Sequence, residues 1–91
     1  MHSVFFEPDA QQFRVHLQDE QYAVVAYEPR GEVLAITSTK VPEDLQGKGY
    51  GKVMMEAVLP EIEKMGKKVE PVCSFVVVYF ERNPQWQHLK A

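Results

Sequence analysis

The sequence predicts an α+β fold, an antiparallel meander of three strands packed against a helical second half. Three observations carry this. Apolar residues alternate with a period of two from Phe13 to Leu17 and recur at helical spacing from Tyr50 onward. Only a few residues separate the first strands, which antiparallel neighbours allow and parallel ones do not. Between the two regimes stands "DLQGKGYGK", residues 44–52, with glycine at 47, 49 and 51.

Phe13, Val15 and Leu17 fall on one face of a strand and Arg14 and His16 on the other, until the polar "QDEQ" ends it. "YAVVAY" (22–27) gives a second strand, and Pro29 and Gly31 in "EPRGE" give a turn. The third strand runs from Val33 to Val41, where Pro42 stops it. Beyond the glycines, Tyr50, Val53, Met54, Ala57 and Val58 share one helical face, while Lys52, Glu56 and Glu63 lie elsewhere on the cylinder. Gly66 suits the C′ position, and Lys64 and Lys67 suit the negative end of the helix dipole. Pro60 has no N–H for the carbonyl of Glu56, which predicts a kink or two shorter helices. "FVVVYF" (75–80) is a strand by propensity, but a helix would put Val76, Tyr79 and Phe80 on one side. Periodicity leaves both open in so short a run. Asn83 as N-cap and Pro84 at N1 start a last helical turn carrying Trp86 and Leu89.

Composition narrows the function classes. The chain has 91 residues, 45% apolar and 25% charged, the profile of one globular domain spanning residues 1–91. A chain of this size buries roughly 60–65% of its unfolded surface, enough for one core. A formal charge of −3 argues against binding a nucleic-acid backbone, and Glu61, Glu63 and Glu70 interrupt the lysines at 64, 67 and 68. Cys73 is the single cysteine, so neither an internal disulfide nor a cysteine-based zinc site is expected. His2, His16 and His88 show no metal-ligand spacing, so no metal is expected. With no apolar run near the ~20 residues that span a bilayer and no signal-peptide pattern in "MHSVFFEPDA", a cytoplasmic monomer away from membranes is the expectation.

The order strand, glycine loop, helix suits an anion, because a helix N-terminus presents unpaired N–H groups and glycine lets backbone approach phosphate oxygens. Spacing excludes two common phosphate loops. A P-loop needs Ser or Thr after Gly-Lys, and here Val53 follows Gly51-Lys52. The dinucleotide fingerprint needs a glycine at 50 or 52, which are Tyr and Lys, and a parallel sheet. What remains is Gln46-x-x-Gly49-x-Gly51, with Gly47 as an extra glycine.

That pattern resembles the coenzyme A pyrophosphate loop of the GNAT acyltransferases. "TKVPEDLQGKGYGKVMMEAV" resembles the T-x-V-P-x-x-L-(R/Q)-G-x-G pattern of a subfamily of minimal, about 90-residue GNAT proteins. "PVCSFVVVYFERNPQW" resembles that subfamily's P-x-C-x-(F/Y) tail. The resemblance implies the GNAT-like fold in minimal form: the meander, the loop and its long helix, one further strand ("VEPV") parallel to the third, and a short C-terminal helix ("SFVVVYFER"). It implies that the third strand and "VEPV" splay apart around the pantetheine arm.

It also implies roles. Gln46, Gly47, Lys48, Gly49, Tyr50, Gly51 and Lys52 would wrap the pyrophosphate, with Lys48 and Lys52 either adding charge or remaining solvated. Thr39 and Val41 end the strand whose amides polarise the thioester carbonyl. Ser38 stands where many relatives carry His and is no general base on its own. Cys73 is a candidate acyl acceptor at a helix N-terminus, or pocket lining, or an apolar filler. Tyr79 is a candidate acid for the departing thiolate, with Phe80 and core packing as alternatives. Phe75 and Trp86 fit a pocket wall or the core, and His16 an exposed strand position. The implied function is acetyl-CoA-dependent N-acetylation of an amine, whether a small amine or a protein. The alternatives are a CoA-binding module with little activity and an interaction domain that has kept the fold without the ligand.

Overall fold

A computed structural model describes residues 3–91; His2, one of the three scattered histidines, lies outside them. Five strands form one sheet in the order β1-β2-β3-β4-β5: β1 Val4–Glu7, β2 Gln12–Gln18, β3 Gln21–Arg30, β4 Val33–Lys40 and β5 Lys68–Pro71. The first four are antiparallel, and β5 runs parallel to β4. Helix α1 (Tyr50–Lys64) crosses from β4 to β5, and α2 (Ser74–Arg82) follows β5. The parallel pair and the C-terminal helix are those the resemblance implies.

Cross-strand partners show which face is buried. Phe13 lies opposite Val25 and Val25 opposite Thr39, while Leu34 lies opposite Val69. These face α1 and α2, whose Met54, Met55, Val58, Leu59, Ile62, Val76, Tyr79 and Phe80 complete a single core. The opposite face of β2 and β3, with Arg14, His16, Tyr22 and Val24, is half-buried.

Several elements differ from expectation for identifiable reasons. Strand β1 is an addition: Phe6 packs beside Phe13, with ring centroids 5.0 Å apart, and Arg14 pairs with Glu7 at 2.9 Å. Strand β3 continues through Pro29, which sequence reading assigned to the turn. The N–H of Tyr27 reaches Gln11 O, near where β2 begins. Two residues on, the Pro29 nitrogen therefore faces no partner strand, and its missing hydrogen costs no ladder bond. Helix α1 passes Pro60 as one helix rather than two, and exposed Glu56 leaves the freed carbonyl on the wet side. Gly66, at φ +74°, takes the C′ position, with Lys67 N–H on Ile62 O and Gly66 N–H on Glu63 O.

"FVVVYF" is helical, burying Val76, Tyr79 and Phe80 and leaving Val77 and Val78 exposed. The last turn, Pro84–Leu89, is a 3-10 helix that Asn83 precedes without capping. Its side-chain amide turns back to donate to Tyr79 O at 2.8 Å, which ties off α2 instead. Among the described residues no helix is long and apolar enough to cross a membrane.

Candidate functional site

Strands β4 and β5 pair only from Val33 to Ile36 and from Lys68 to Pro71. Pro71 has no N–H to extend the ladder, and the amides of Val72 and Cys73 both turn onto Ile36 O, at 3.2 and 2.9 Å. Meanwhile β4 stays on β3 as far as Lys40, opposite Val24. A bulge leaves Thr37 unmatched between the Ile36–Tyr27 and Ser38–Ala26 pairs, adding twist where the strands part. Thr39 Oγ1 and Cys73 Sγ meet across the resulting split at 3.5 Å.

The glycine loop sits over this split and is braced on both sides. Leu45 is buried in the core ahead of it. Gln46 Nε2 donates to Val41 O at 3.0 Å, so this side chain holds the loop to the end of β4. The Tyr50 hydroxyl donates to Gln18 Oε1 at 3.0 Å, fixing the start of α1 to the β2–β3 hairpin. Gly47 and Gly49 have φ of +79° and +81°, which L-residues with side chains rarely adopt. A Cβ at either position would meet nothing within 4 Å, so the space before them is open. The amides of Gly47, Gly49 and Gly51 make no well-formed backbone hydrogen bond among the described residues. The first turn of α1 holds no acidic residue, although acids favour that position, and contains Lys52 instead.

Gly51 is glycine for another reason. A Cβ there would stand 2.7 Å from Cζ of Phe75, so its absence lets the Phe75 ring lie over the first turn of α1. That ring, 40% exposed, walls two cavities. One, about 230 Å³, is lined by Thr39, Val41, Gln46, Gly51, Met54 and Phe75. The other, about 170 Å³, lies between α1 and α2 and is lined by Lys52, Phe75, Val78, Tyr79, Arg82 and Asn83.

Cys73 is the N-cap residue of α2 and half-buried. Partial burial opposes its thiolate, but the Thr39 hydroxyl and the amides of Val76, Phe75 and Thr39 favour it more, and its pKa lies below the ordinary thiol value. Tyr79 is 6% exposed, and its hydroxyl is buried without a completed hydrogen bond. Burial and then the Glu56 charge raise its pKa, against a smaller pull from the nearby Trp86 indole, so it stays a phenol at neutral pH.

The structure thus brings Thr39, Val41, Gln46, Gly51 and Phe75 to one cavity, sets Cys73 at its Thr39 end, and puts Lys52 and Tyr79 beyond the Phe75 ring. Lys48 is exposed on the loop, Ser38 is exposed on β4, and His16 bonds the Asp19 carbonyl on the half-buried sheet face. Met54 and Arg82 escaped the sequence reading as site residues. Arg82 had a signal: once 74–82 is helical, positions 75, 79 and 82 share a face. Among the described residues no group of three or more His, Cys, Asp or Glu could hold a metal ion.

Known proteins agree with this architecture. The sequence profile of the GCN5-related N-acetyl-transferases matches residues 12–89. The fold is similar to the NMR solution structure of a candidate GCN5-like N-acetyltransferase from Staphylococcus aureus, with a TM-score of 0.72 and 23% identity over 98% of this chain and 87% of that one. No curated protein matches the chain. With a splayed β4–β5 pair, a glycine loop at the head of the crossover helix and a family profile spanning nearly every element, the chain belongs to the GCN5-related N-acetyltransferase family, whose members are acyltransferases.

Proposed function

We propose that this protein binds acetyl-CoA through the 46–52 loop and transfers the acetyl group to an amine. One observation carries the reading: a braced glycine loop, with two left-handed glycines and no acid in the first turn of its helix, opens onto a cavity that ends at the Thr39–Cys73 split. Coenzyme A fits this donor set. The amides of Gly47, Gly49 and Gly51 would hold the pyrophosphate, with Lys48 and Lys52 close by, and Thr39, Val41, Met54 and Phe75 would line the pantetheine arm. Acetyl-CoA supplies, when bound, an acyl group already activated as a thioester. The chain contributes positioning, the amides at the end of β4 for charge developing on the carbonyl oxygen, and an apolar wall that excludes water. Water deprotonates the amine, since exposed Ser38 has no activating partner among the described residues. Water returns the proton to the departing thiolate. Tyr79, the alternative acid, lines the α1–α2 cavity and not the Thr39 cavity, with Phe75 a wall of both. A lone, unbridged cysteine suits a reducing cytoplasm.

Coenzyme A at about 100 times its Kd is expected to stabilise the protein by roughly 2.7 kcal/mol, read by thermal denaturation. Free thiol should then appear when acetyl-CoA is mixed with an accepted amine from a panel of small amines and peptides. Absence of any shift with CoA and acetyl-CoA rejects the reading. A shift with no thiol release across the panel favours a binding module.

The lowered Cys73 pKa favours a second reading, transfer through the thiolate. Sγ would accept the acyl carbon as the cofactor's carbon–sulfur bond breaks, and the amine would then take the acyl group and free the thiol. Mass spectrometry after incubation with acetyl-CoA should then show an acetyl adduct that Cys73→Ala lacks. Adduct formation should rise as pH climbs through the lowered Cys73 pKa, and Thr39→Val should move that rise to higher pH by removing a donor to the thiolate. Full transfer activity in Cys73→Ala discards this route and keeps direct attack.

A further inference from the structure

We infer that the second cavity, between α1 and α2, holds the nucleotide end of coenzyme A, with Lys52 and Arg82 pairing with its 3′-phosphate. This rests on the coenzyme A reading above and adds a part of the ligand that the glycine loop does not reach.

The argument begins with size. Ligand sites commonly measure roughly 300–1,000 Å³. The Thr39 cavity, about 230 Å³, falls short of that alone, and so does the α1–α2 cavity, about 170 Å³. A molecule as long as coenzyme A must therefore occupy more than one of them. The two share the Phe75 ring as a wall, and the first turn of α1 contributes Gly51 to one and Lys52 to the other. A chain whose pyrophosphate rests on that first turn has a cavity on either side of it.

Charge assigns the two ends. Among its lining residues the Thr39 cavity has no ionisable side chain, which suits the uncharged pantetheine arm. The α1–α2 cavity has Lys52 from α1 and Arg82 from α2. Every other arginine, Arg14 and Arg30, is committed to a glutamate, whereas Lys52 and Arg82 have no carboxylate partner among the described residues. Glu56, one turn beyond Lys52, acts on Tyr79 nearby, but no carboxylate is among the residues that line this cavity with the two cations. Two unpaired cations on separate helices, in a chain of net charge −3, favour a dianionic phosphate over a neutral group. The exposed face of Phe75 and the side chain of Val78 give the purine an apolar surface.

Calorimetric titration with CoA and with dephospho-CoA, which lacks only the 3′-phosphate, tests this without requiring turnover. The wild-type protein should prefer CoA by about tenfold, the scale of one charge-assisted hydrogen bond at a partly exposed site, and less at high salt. Arg82→Gln and Lys52→Gln should each narrow the ratio, and together should bring it near one. Because the readout is a ratio within one protein, general loss of loop binding in the Lys52 variant cancels. Equal affinities in the wild type, or a ratio unchanged in the double variant, overturn the assignment and leave the coenzyme A reading standing. Failure of both ligands to bind overturns both.

Discussion

Replacing Gly49 by valine is expected to abolish the stabilisation that coenzyme A confers, while leaving a folded protein. Gly49 holds φ at +81° and its carbonyl receives the Val53 amide that opens α1. A β-branched residue there is strained wherever it points; the left-handed region costs L-residues roughly 1–2 kcal/mol, and valine sits at the costly end. The apo protein should lose about that much stability. The larger effect is on the ligand. A Cβ at this position enters open space in front of the loop amides, where phosphate oxygens would come, so the shift of roughly 2.7 kcal/mol at 100 times Kd should vanish. Gly31 supplies the control: its φ is +66° and its Cβ position is equally open, but it lies in the β3–β4 turn. Gly31→Val should cost similar apo stability and keep the full ligand shift. If Gly49→Val keeps the shift as well, the loop is only a turn.

What the sequence discloses here and what it hides follow from how local each cause is. Strand β2 was legible because its alternation is carried by its own residues, and Gly66 because a helix end is a local event. The start of α1 was legible for the same reason. Strand β1 was hidden, since Phe5 and Phe6 are adjacent and neither alternates; only pairing with β2 gives them a role. Helix α2 was undecidable from propensity, because three valines in a row favour a strand and the helix is imposed by the core that Val76, Tyr79 and Phe80 enter. At the site, positive φ at Gly47 and Gly49 is a backbone demand that spacing can suggest. The reason for Gly51 lies 24 residues away, in the ring of Phe75, and no local pattern contains it. The same holds for Thr39 and Cys73, which are neighbours only because β4 and β5 part after Ile36.

Phe80→Ala should cost about 3–5 kcal/mol, the largest stability loss expected of any single truncation on α2. The side chain is 1% exposed, meets Tyr79 edge-on at 6.4 Å, and lies in the core shared by the sheet and both helices. A chain of 91 residues has on the order of 5–14 kcal/mol of total stability, so this one change removes a large fraction of it. At about 4–8 °C per kcal/mol for a domain of this length, the thermal midpoint should fall by at least ~12 °C. The effect should be specific to the helical register. Val78, two residues earlier and 40% exposed, should tolerate alanine within about 0.5 kcal/mol, because a helix gains in propensity what little packing it loses. In a strand, positions 78 and 80 would share one face and the two variants would suffer together. A large loss at 80 with none at 78 therefore reports the helix itself. For the proposed binding the helix would matter because it sets Cys73 at the split, Phe75 over Gly51, and Tyr79 and Arg82 beside Lys52. A Phe80→Ala protein that still folds at low temperature should bind coenzyme A weakly with its glycine loop unaltered in sequence. Full affinity there would mean that the loop alone holds the ligand and that α2 adds nothing to it.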